Sequence, residues 1–260
     1  MARQASARVL GLRDFADIRI ARTLGKKPYL KAPRPSAELA NFNFNVSHEG
    51  DWVVLASEPL CVCGVDVAAP EACRKGARTD VFDVFQEQLS PAEWAEVRRR
   101  AAEGPARPGA DPTYEAFQRH WSCKEAFVKA RGDGLGFEPL RRAEFSFGDG
   151  VATVVVDGRP MPRWRFFLHR LGEDHWVTVA RGPPEDVVDG EGGLAATLVR
   201  RASDFSAEAW EAELAADSPA FAELCVAELV PDDRAAEFAA IVGASPGGPG
   251  PSGAVLSDAS

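Results

Sequence analysis

One segment of the chain, residues 117–137 with the sequence FQRHWSCKEAFVKARGDGLGF, holds side chains that could exchange protons or bind an anion. At a period of 3.6 residues it predicts a helix on which Glu125 and Lys129 lie four residues apart, at the margin of an apolar face. Lys124 falls in line with Phe117, on that face itself. Because a buried ammonium without a partner is costly, this lysine predicts an anion site near the helix.

The same residues also fit a purely structural interpretation. Glu125 and Lys129 can form an ordinary surface ion pair worth about 0.2 to 0.5 kcal/mol. Lys124 can lay its stem along apolar surface and extend its ammonium into water. For the pair alone this simpler interpretation is the stronger one, so other residues must decide.

Three acids have the types and positions that a magnesium site needs. Asp66 lies near the end of a predicted strand, Glu49 lies in the turn HEGD beside His48, and Glu125 lies on the helix. Hard oxygen ligands from separate elements suit Mg²⁺, which keeps several waters and shares its shell with substrate phosphates. Each carboxylate by itself is more commonly a surface residue. Together with nearby basic residues they favour a site that handles phosphoryl groups.

A second group of residues that could bind phosphate lies near the start of the chain. Lysine is scarce in this sequence, yet Lys26, Lys27 and Lys31 lie close together, with Arg22 and Arg34 on either side. Such a segment is commonly a solvated loop. The functional alternative is a phosphate site, which needs clustered positive charge.

The composition limits the classes of protein to be considered. A chain of 260 residues with 45% hydrophobic residues can form a full core in one or two domains. The net charge of -9 argues against nucleic-acid binding, and no apolar run reaches the about 18 residues of a membrane span. The five cysteines form no CxxC pair and indicate reduced thiols. We therefore expect a cytosolic protein, while the basic start at residues 1–13 leaves import into an organelle open.

Hydrophobic alternation predicts the elements that would position these residues. Residues 41–67 read as three strands in a meander. The segment SPAE at 90–93 has the pattern of a capping box and starts a helix that runs to about Ala102. Residues 103–112 form a breaker-rich connection to the long helix, which we expect to be exposed.

The rest of the chain divides into a strand-rich part and an extension. The pieces AEFSF, VATVVVD, RWRFFLHR and HWVTVAR predict strands that form an antiparallel sheet on the long helix. Beyond about residue 183 the composition shifts to Ala, Glu, Gly and Pro. Ser206 and Ser218 are candidate caps of short helices there, and residues 243–260 are predicted to be disordered.

Three runs of the sequence carry a family resemblance: FNVSHEGDWVVLASEPLCVCGVDV, then LSPAEW, then WSCKEAFVKARGDGLGF. They resemble the 4'-phosphopantetheinyl transferases of the larger, Sfp-like group, and within it the eukaryotic aminoadipate-semialdehyde-dehydrogenase type. The family pattern is a G-[IV]-D strand, then W-x-x-K-E-[AS]-x-x-K, then a G-x-G-L turn. Here these are GVD at 64–66, the run 121–129 and GDGL at 132–135. The resemblance extends over about residues 9–181.

The resemblance implies an α+β fold of two halves related by a pseudo-twofold axis. Each half would be an antiparallel sheet packed on a long helix, with coenzyme A in the cleft between them. The chain would divide into a first half at 1–63, a second half at 64–182 and an extension with short helices at 183–260. The early strands of the family have no counterpart here, so the first half is expected to be partial at its N-terminus.

The resemblance also implies roles for single residues. Asp66 and Glu125 would bind Mg²⁺ on the pyrophosphate of coenzyme A, and Glu49 would reach the metal or its water. Many relatives carry an acid two residues after the aspartate, where this chain has Ala68, and Glu49 would take its place. The residues expected to contact coenzyme A are Arg22, Lys26, Lys27, Asn45, Ser47, His48, Lys124 and Lys129.

The implied reaction is attack by a serine hydroxyl of an apo acyl carrier protein on the β-phosphate of coenzyme A, with 3',5'-ADP leaving. Glu125 is the expected base, directly or through a metal-bound water, while Lys129 and His48 would stabilise the departing phosphate. We expect a monomer that binds neither nucleic acid nor membrane. Two alternatives stay open: a metal-dependent phosphodiester hydrolase, and an inactive remnant that binds carrier proteins.

Overall fold

The long helix predicted from the sequence is present, and both of its ends have identifiable causes. The structure, a computed structural model, describes residues 1–12, 15–50, 52–69, 81–104, 111–148, 151–172, 175–217, 220–243 and 254–257. Helix α4 covers Pro112–Arg131. It begins at Asp111, whose side chain accepts hydrogen bonds from the backbone N–H groups of residues 113 and 114. It ends at Gly132, which takes the left-handed conformation with φ 87°.

The other helices are shorter, and the second longest confirms its predicted start and end. The side chains of Ser90 and Glu93 cap each other's backbone N–H groups, and Pro91 occupies the first helical position. In chain order the helices besides α4 are α1 Ala2–Leu10, α2 Val81–Phe85, α3 Pro91–Ala102, α5 Ala207–Ala215 and α6 Ala235–Gly243. Ser206 caps α5 through a hydrogen bond from the backbone N–H of Ala209.

Twelve strands are present in the described part of the chain. They are β1 Arg19–Arg22, β2 Pro28–Ala32, β3 Asn43–Glu49, β4 Trp52–Glu58, β5 Val62–Ala68, β6 Ala143–Gly148, β7 Val151–Val156, β8 Arg159–Pro160, β9 Arg165–Leu171, β10 His175–Gly182, β11 Phe221–Leu224 and β12 Ala254–Ser257. They form four sheets in the orders β1-β2, β5-β10-β9, β11-β12-β4-β3 and β6-β7-β8. All pairs are antiparallel except β12 with β4.

The sheet pairing corrects three expectations. Strand β5 does not continue the β3–β4 hairpin as a meander but pairs with β10. The four strand pieces of the second half belong to two sheets, since β6 and β7 pair with β8 while β9 and β10 pair with β5. Part of the end predicted to be disordered, the apolar run at 254–257, forms β12. In each case distant backbone partners decided a pairing that local alternation leaves open.

The fold is a mixed arrangement of small antiparallel sheets and helices, with a large core around α4. This core joins α4 to β6, β7, β9 and β10 and includes Phe127, Phe145, Trp164 and Phe166. The first half has a separate core of α1, β2, β3 and β4. Its helix α1 has nine residues, whereas we expected a long helix in each half. The pseudo-twofold relation remains an expectation.

Residues 183–217 pack on the rest of the chain. The side chain of Asn41 donates to the carbonyl of Arg200 at 2.7 Å and accepts from its N–H at 2.9 Å. Leu214 of α5 is fully buried in a cluster with Cys61 and Trp210. The buried guanidinium of Arg181 pairs with Glu58 and donates to the carbonyl of residue 216 at 2.5 Å. This part of the predicted extension is therefore built into the fold.

Some expectations fall on residues outside the described ranges. They are the cap at Ser218, most of the connection at 103–112, and most of the C-terminal end. Among the described helices, none is both long and apolar enough to cross a membrane.

Helix α4 lies directly against the sheet at Gly64. A β-carbon at this position would collide with the backbone oxygen of Ala126 and the backbone nitrogen of Ala130. Only a residue without a side chain lets the helix lie this near the strand. The glycine of the GVD motif therefore sets the spacing between β5 and α4.

We expect Gly64→Ala to destabilise the protein by about 3 kcal/mol or more, because backbone atoms cannot move aside as a flexible side chain would. The control is Gly136→Ala, since a β-carbon there meets nothing within 4 Å. Urea unfolding of both variants measures the difference. Equal stability of the two variants would contradict the predicted role of Gly64.

Candidate active site

The candidate site is centred on the carboxylate of Asp66, two residues after Gly64 on β5. Lys129 of α4 places its ammonium 2.5 Å from Asp66 Oδ1. The hydroxyl of Ser47 on β3 donates to the same oxygen at 3.0 Å and accepts from Lys129 Nζ at 3.0 Å. Three elements thus contribute one side chain each to a closed set of hydrogen bonds. The Asp66 side chain is 7% exposed, and that of Lys129 is 29% exposed.

Strand β3 reaches β5 through side chains instead of a backbone ladder. The acceptors are alternate residues of β3, and the donors are N–H groups twenty residues later, on β5 and on the residue that follows it. The bonds run from Cys63 to Asn43 at 2.9 Å, from Val65 to Asn45 at 3.1 Å, from Val67 to Ser47 at 3.3 Å and from Ala69 to Glu49 at 3.0 Å. The edge of β5 that faces away from β10 is satisfied in this way.

These hydrogen bonds fix the positions of two expected site residues. Ser47 is held beside Asp66, and Glu49 is held at the end of the strand through its Oε2 atom. Asn45, expected to line the nucleotide, is buried and uses its Oδ1 atom to join the two strands. His48 is exposed at the end of β3. The sequence therefore located the strand, while the structure shows that most of its polar side chains also join β3 to β5.

Glu125 lies one helical turn before Lys129 and has the most favourable properties for a base. Burial raises the pKa of its carboxyl to about 7, and the negative charges of Asp66, Glu138 and Glu49 add to this effect against the charge of Lys129. A carboxyl poised near neutral pH can accept and return a proton under ordinary conditions.

Burial and neighbouring charges also act on the pKa of Asp66, but here hydrogen bonds oppose the effect of burial. Burial raises the pKa of its carboxyl, while the charge and hydrogen bond of Lys129 and the hydrogen bond of Ser47 lower it. Glu49 again acts to raise it. The carboxylates of Asp66, Glu49 and Glu125 repel one another, and among the described residues the ammonium of Lys129 is the positive charge that acts on them. A bound cation would relieve this repulsion further.

The chemistry of these residues fits a hard divalent cation. Asp66, Glu125 and Glu49 supply carboxylate oxygens, which are the ligands that Mg²⁺ prefers. In the part of the chain that the structure describes, no group of three or more His, Cys, Asp or Glu side chains is gathered tightly enough to hold a metal ion. The ammonium of Lys129 lies on Asp66 instead.

The basic loop after β1 lies against the turn that follows α4. A β-carbon on Gly25 would collide with the backbone of Gly132, and one on Gly134 would crowd the backbone of Gly25. Arg22 is exposed and donates to the carbonyl of Lys26 at 2.9 Å, and Lys26 is also exposed. Two of the predicted phosphate contacts are therefore presented to solvent next to the C-terminal end of α4.

Lys27 does not face solvent as these two residues do. Its ammonium donates to the carbonyls of Cys63 at 2.6 Å and Lys129 at 3.1 Å, and the residue is 3% exposed. Burial lowers the pKa of this amine to about 8. The expected contact with coenzyme A is corrected, because this lysine joins the loop to β5 and α4 inside the protein.

Lys124 also has a structural role. Its side chain is fully buried, and its ammonium lies 2.8 Å from Glu93 on α3. It also donates to the carbonyls of Leu140 and Ala143. The sequence correctly predicted an anionic partner, but that partner is a glutamate of the neighbouring helix and not a phosphate. The expected phosphate contact is therefore wrong.

Sequence reasoning did not single out Glu138, whose charge contributes to the raised pKa of Glu125. It is an exposed acid that follows the GDGLGF segment directly. Its position just after the turn that caps α4 is the signal that could have identified it, because that turn brings the chain back past the helix.

Two family models match consecutive parts of the chain. Residues 1–60 match 4'-phosphopantetheinyl transferase, N-terminal, and residues 62–180 match the 4'-phosphopantetheinyl transferase superfamily. The second match contains Asp66, Glu125 and Lys129, and the first contains Ser47 and Glu49. The chain belongs to the 4'-phosphopantetheinyl transferase superfamily, which confirms the resemblance found in the sequence.

Individual relatives support the same assignment. A phosphopantetheinyl transferase of Thraustochytrium sp. is 37% identical over 171 residues, covering 64% of this chain and 56% of the relative. The L-aminoadipate-semialdehyde dehydrogenase-phosphopantetheinyl transferase of Homo sapiens is 33% identical over 177 residues, covering 65% and 54%. The 4'-phosphopantetheinyl transferase of Bacillus subtilis is 32% identical over 160 residues, covering 60% of each chain. The chain thus spans little more than half the length of these relatives.

We expect Glu93→Gln to destabilise the protein by about 3 kcal/mol, because it leaves the buried ammonium of Lys124 without its counter-charge. Glu96→Gln on the same helix is the control. Glu96 pairs with arginines at the surface, so its loss should cost about 1 kcal/mol or less. Chemical unfolding of both variants tests this, and similar losses would show that the buried pair has no special weight.

We expect Glu125→Gln to stabilise the protein at pH 8 by about 1 to 3 kcal/mol. The pKa of Glu125 is about 7 in the folded protein against an ordinary value of 4.5, so between these pH values the folded protein holds the extra proton. Its stability therefore falls as pH rises through this range, and the variant escapes that loss. Urea unfolding in EDTA at pH 5 and pH 8 measures the gain, which should be smaller at pH 5.

The control for the pH series is Glu96→Gln, for which the expected change in stability at pH 8 has the opposite sign. Hydrogen bonds from Arg99 lower the pKa of Glu96 to about 2, so Glu96→Gln should be less stable than the parent at pH 8. A destabilised Glu125→Gln at that pH would show that its carboxylate is favourably placed in the protein without a bound cation, contrary to our interpretation.

Proposed function

We propose that the chain transfers the 4'-phosphopantetheine group from coenzyme A to a serine of an apo acyl carrier protein or carrier domain. In this reaction the serine oxygen forms a bond to the β-phosphorus, the bond between that phosphorus and the bridging oxygen breaks, and 3',5'-ADP leaves. The observation that carries the proposal is the ion pair of Asp66 with Lys129, one helical turn from Glu125, within residues matched by the family model.

Glu125 is the base in this proposal. Its carboxylate accepts the proton of the serine hydroxyl as the oxygen attacks. Its partial burial keeps the proton exchange away from bulk water. Glu138, Glu49 and Asp66 keep the carboxyl from becoming too weak a base by repelling additional negative charge.

The remaining side chains manage the charge of the substrate. Lys129 carries a positive charge that can stabilise the phosphate oxygens as charge builds up on the leaving group. Arg22 and Lys26 present positive charge in the neighbouring loop and are the proposed contacts of the 3'-phosphate. His48, exposed at the end of β3, is proposed to contact the phosphates.

A divalent cation is part of the proposal. Asp66, Glu125 and Glu49 would hold Mg²⁺, which neutralises pyrophosphate charge when bound. The chain itself contributes carboxylates whose positions are fixed by the side-chain hydrogen bonds of β3 and by the packing of α4. We further propose that the protein acts as a monomer in the cytosol.

Several relatives are named for the transfer to L-aminoadipate-semialdehyde dehydrogenase, so its carrier domain is one proposed acceptor, beside acyl carrier proteins of fatty acid synthesis. We expect intact-mass measurement to show a gain of one phosphopantetheine group on at least one apo carrier incubated with coenzyme A, Mg²⁺ and this chain. Glu125→Gln should reduce the rate at least about a hundredfold, as expected for loss of a general base.

The control acceptor is the same carrier with its serine replaced by alanine. Absence of any mass gain, in a sample shown to be folded, refutes transfer. If that sample is still stabilised by coenzyme A, binding without transfer is the better description. Cleavage of a phosphodiester substrate in place of transfer would instead favour the hydrolase alternative.

A further inference from the structure

Lys129 lies where the proposed site would hold its metal ion. Its ammonium is 2.5 Å from Asp66 Oδ1, and a cation bound to that oxygen would meet the ammonium at a strongly repulsive distance. Both cannot hold the same oxygen at once. A divalent cation that binds Asp66 Oδ1 must therefore take the place of the ammonium.

The two partners in this ion pair differ in their freedom to move. Asp66 is nearly buried, and its carboxylate also accepts a hydrogen bond from Ser47. The Ser47 hydroxyl is itself fixed by the N–H of Val67. Lys129 has a long flexible stem and a side chain that is 29% exposed. An exchange of cations would thus move the lysine and leave the aspartate in place.

The ion pair between Lys129 and Asp66 also stabilises the protein when no divalent cation is bound. Asp66 lies beside Glu49 and Glu125, whose charges act on one another. Without a positive charge among them, this partly buried group would carry uncompensated repulsion. The ammonium of Lys129 supplies that charge and keeps the Asp66 carboxylate oriented.

We propose that Lys129 is a placeholder for the divalent cation on Asp66, released when the cation binds, and that Ser47 is the positioning residue that holds Asp66 during the exchange. This inference rests on the proposed function, because the cation belongs to that proposal. Release makes the ammonium available to the phosphate of the substrate. In this proposal the Ser47 hydroxyl binds Asp66 and Lys129, and it does not make the nucleotide contact expected from the sequence.

The first test measures cation affinity and not transfer. Mn²⁺ is the probe, because the signal of the free ion in electron paramagnetic resonance reports how much remains unbound. We expect Lys129→Met to bind Mn²⁺ about tenfold more tightly than the parent, since its competing charge is gone. Arg159→Met, which removes one positive charge at an exposed position on β8, should change the affinity less than about twofold.

Ser47 has its own expected result in the same titration. Ser47→Ala removes the bonds to Asp66 and Lys129 and leaves the N–H of Val67 without its acceptor. We expect it to weaken Mn²⁺ binding about fivefold or more, as loss of a residue that orients a metal ligand does. Ser47→Thr, which restores a hydroxyl, should recover most of the affinity.

A second measurement follows the lysine directly. Acetylation of each lysine is timed by mass spectrometry with and without saturating Mg²⁺. Lys129 should react severalfold faster with Mg²⁺, because its amine loses its carboxylate partner and becomes more accessible to the reagent. Exposed Lys31 in the same sample is the internal control, and its rate should not change.

The outcomes separate this inference from the proposed function. Unchanged or weaker Mn²⁺ binding by Lys129→Met overturns the placeholder even when the parent chain transfers phosphopantetheine. Absence of Mn²⁺ binding by every protein also overturns it, and removes the cation from the proposed function as well. Absence of transfer together with tighter binding by Lys129→Met overturns the activity but supports the exchange.

Discussion

The contact between α4 and β5 at Gly64 is the constraint on which the candidate site depends. The backbone of the helix lies directly over the glycine, and this brings Glu125 and Lys129 within reach of Asp66, two residues along the strand. A larger residue would push the helix outward and draw Lys129 away from Asp66, with which it pairs at 2.5 Å. The spacing of a packing contact therefore determines the electrostatics, because the interaction of close charges depends steeply on their separation.

The second requirement is the connection from β3 to β5. Side chains supply the acceptors that a neighbouring strand would supply from its backbone, so this buried edge is satisfied without a continuous sheet. Each acceptor fits one donor, and a shift by one residue would leave polar groups unpaired in the interior. The connection thereby fixes the register that places Ser47 beside Asp66 and Glu49 near the end of β5.

Local patterns predicted the elements, and long-range packing decided their arrangement. The capping box of α3 and the helical period of α4 depend on residues a few positions apart, so both could be read from the sequence. The pairing of β5 with β10 could not, because alternation identifies a strand but not its neighbour. The same limit applies to the site. The family motif named Asp66, Glu125 and Lys129, whereas the buried contacts of Lys27 depend on strands distant in the sequence.

Lys124 and Lys129 show why residue type and spacing cannot assign function by themselves. They lie five residues apart on one helix, so they point about 140° away from each other. Lys124 points into the core, where Glu93 and two carbonyls use its charge for packing. Lys129 points to the edge of β5, where its partner is a carboxylate among other acids and part of its side chain reaches solvent. Desolvation holds the first lysine permanently in its ion pair, while partial exposure leaves the second free to exchange its partner.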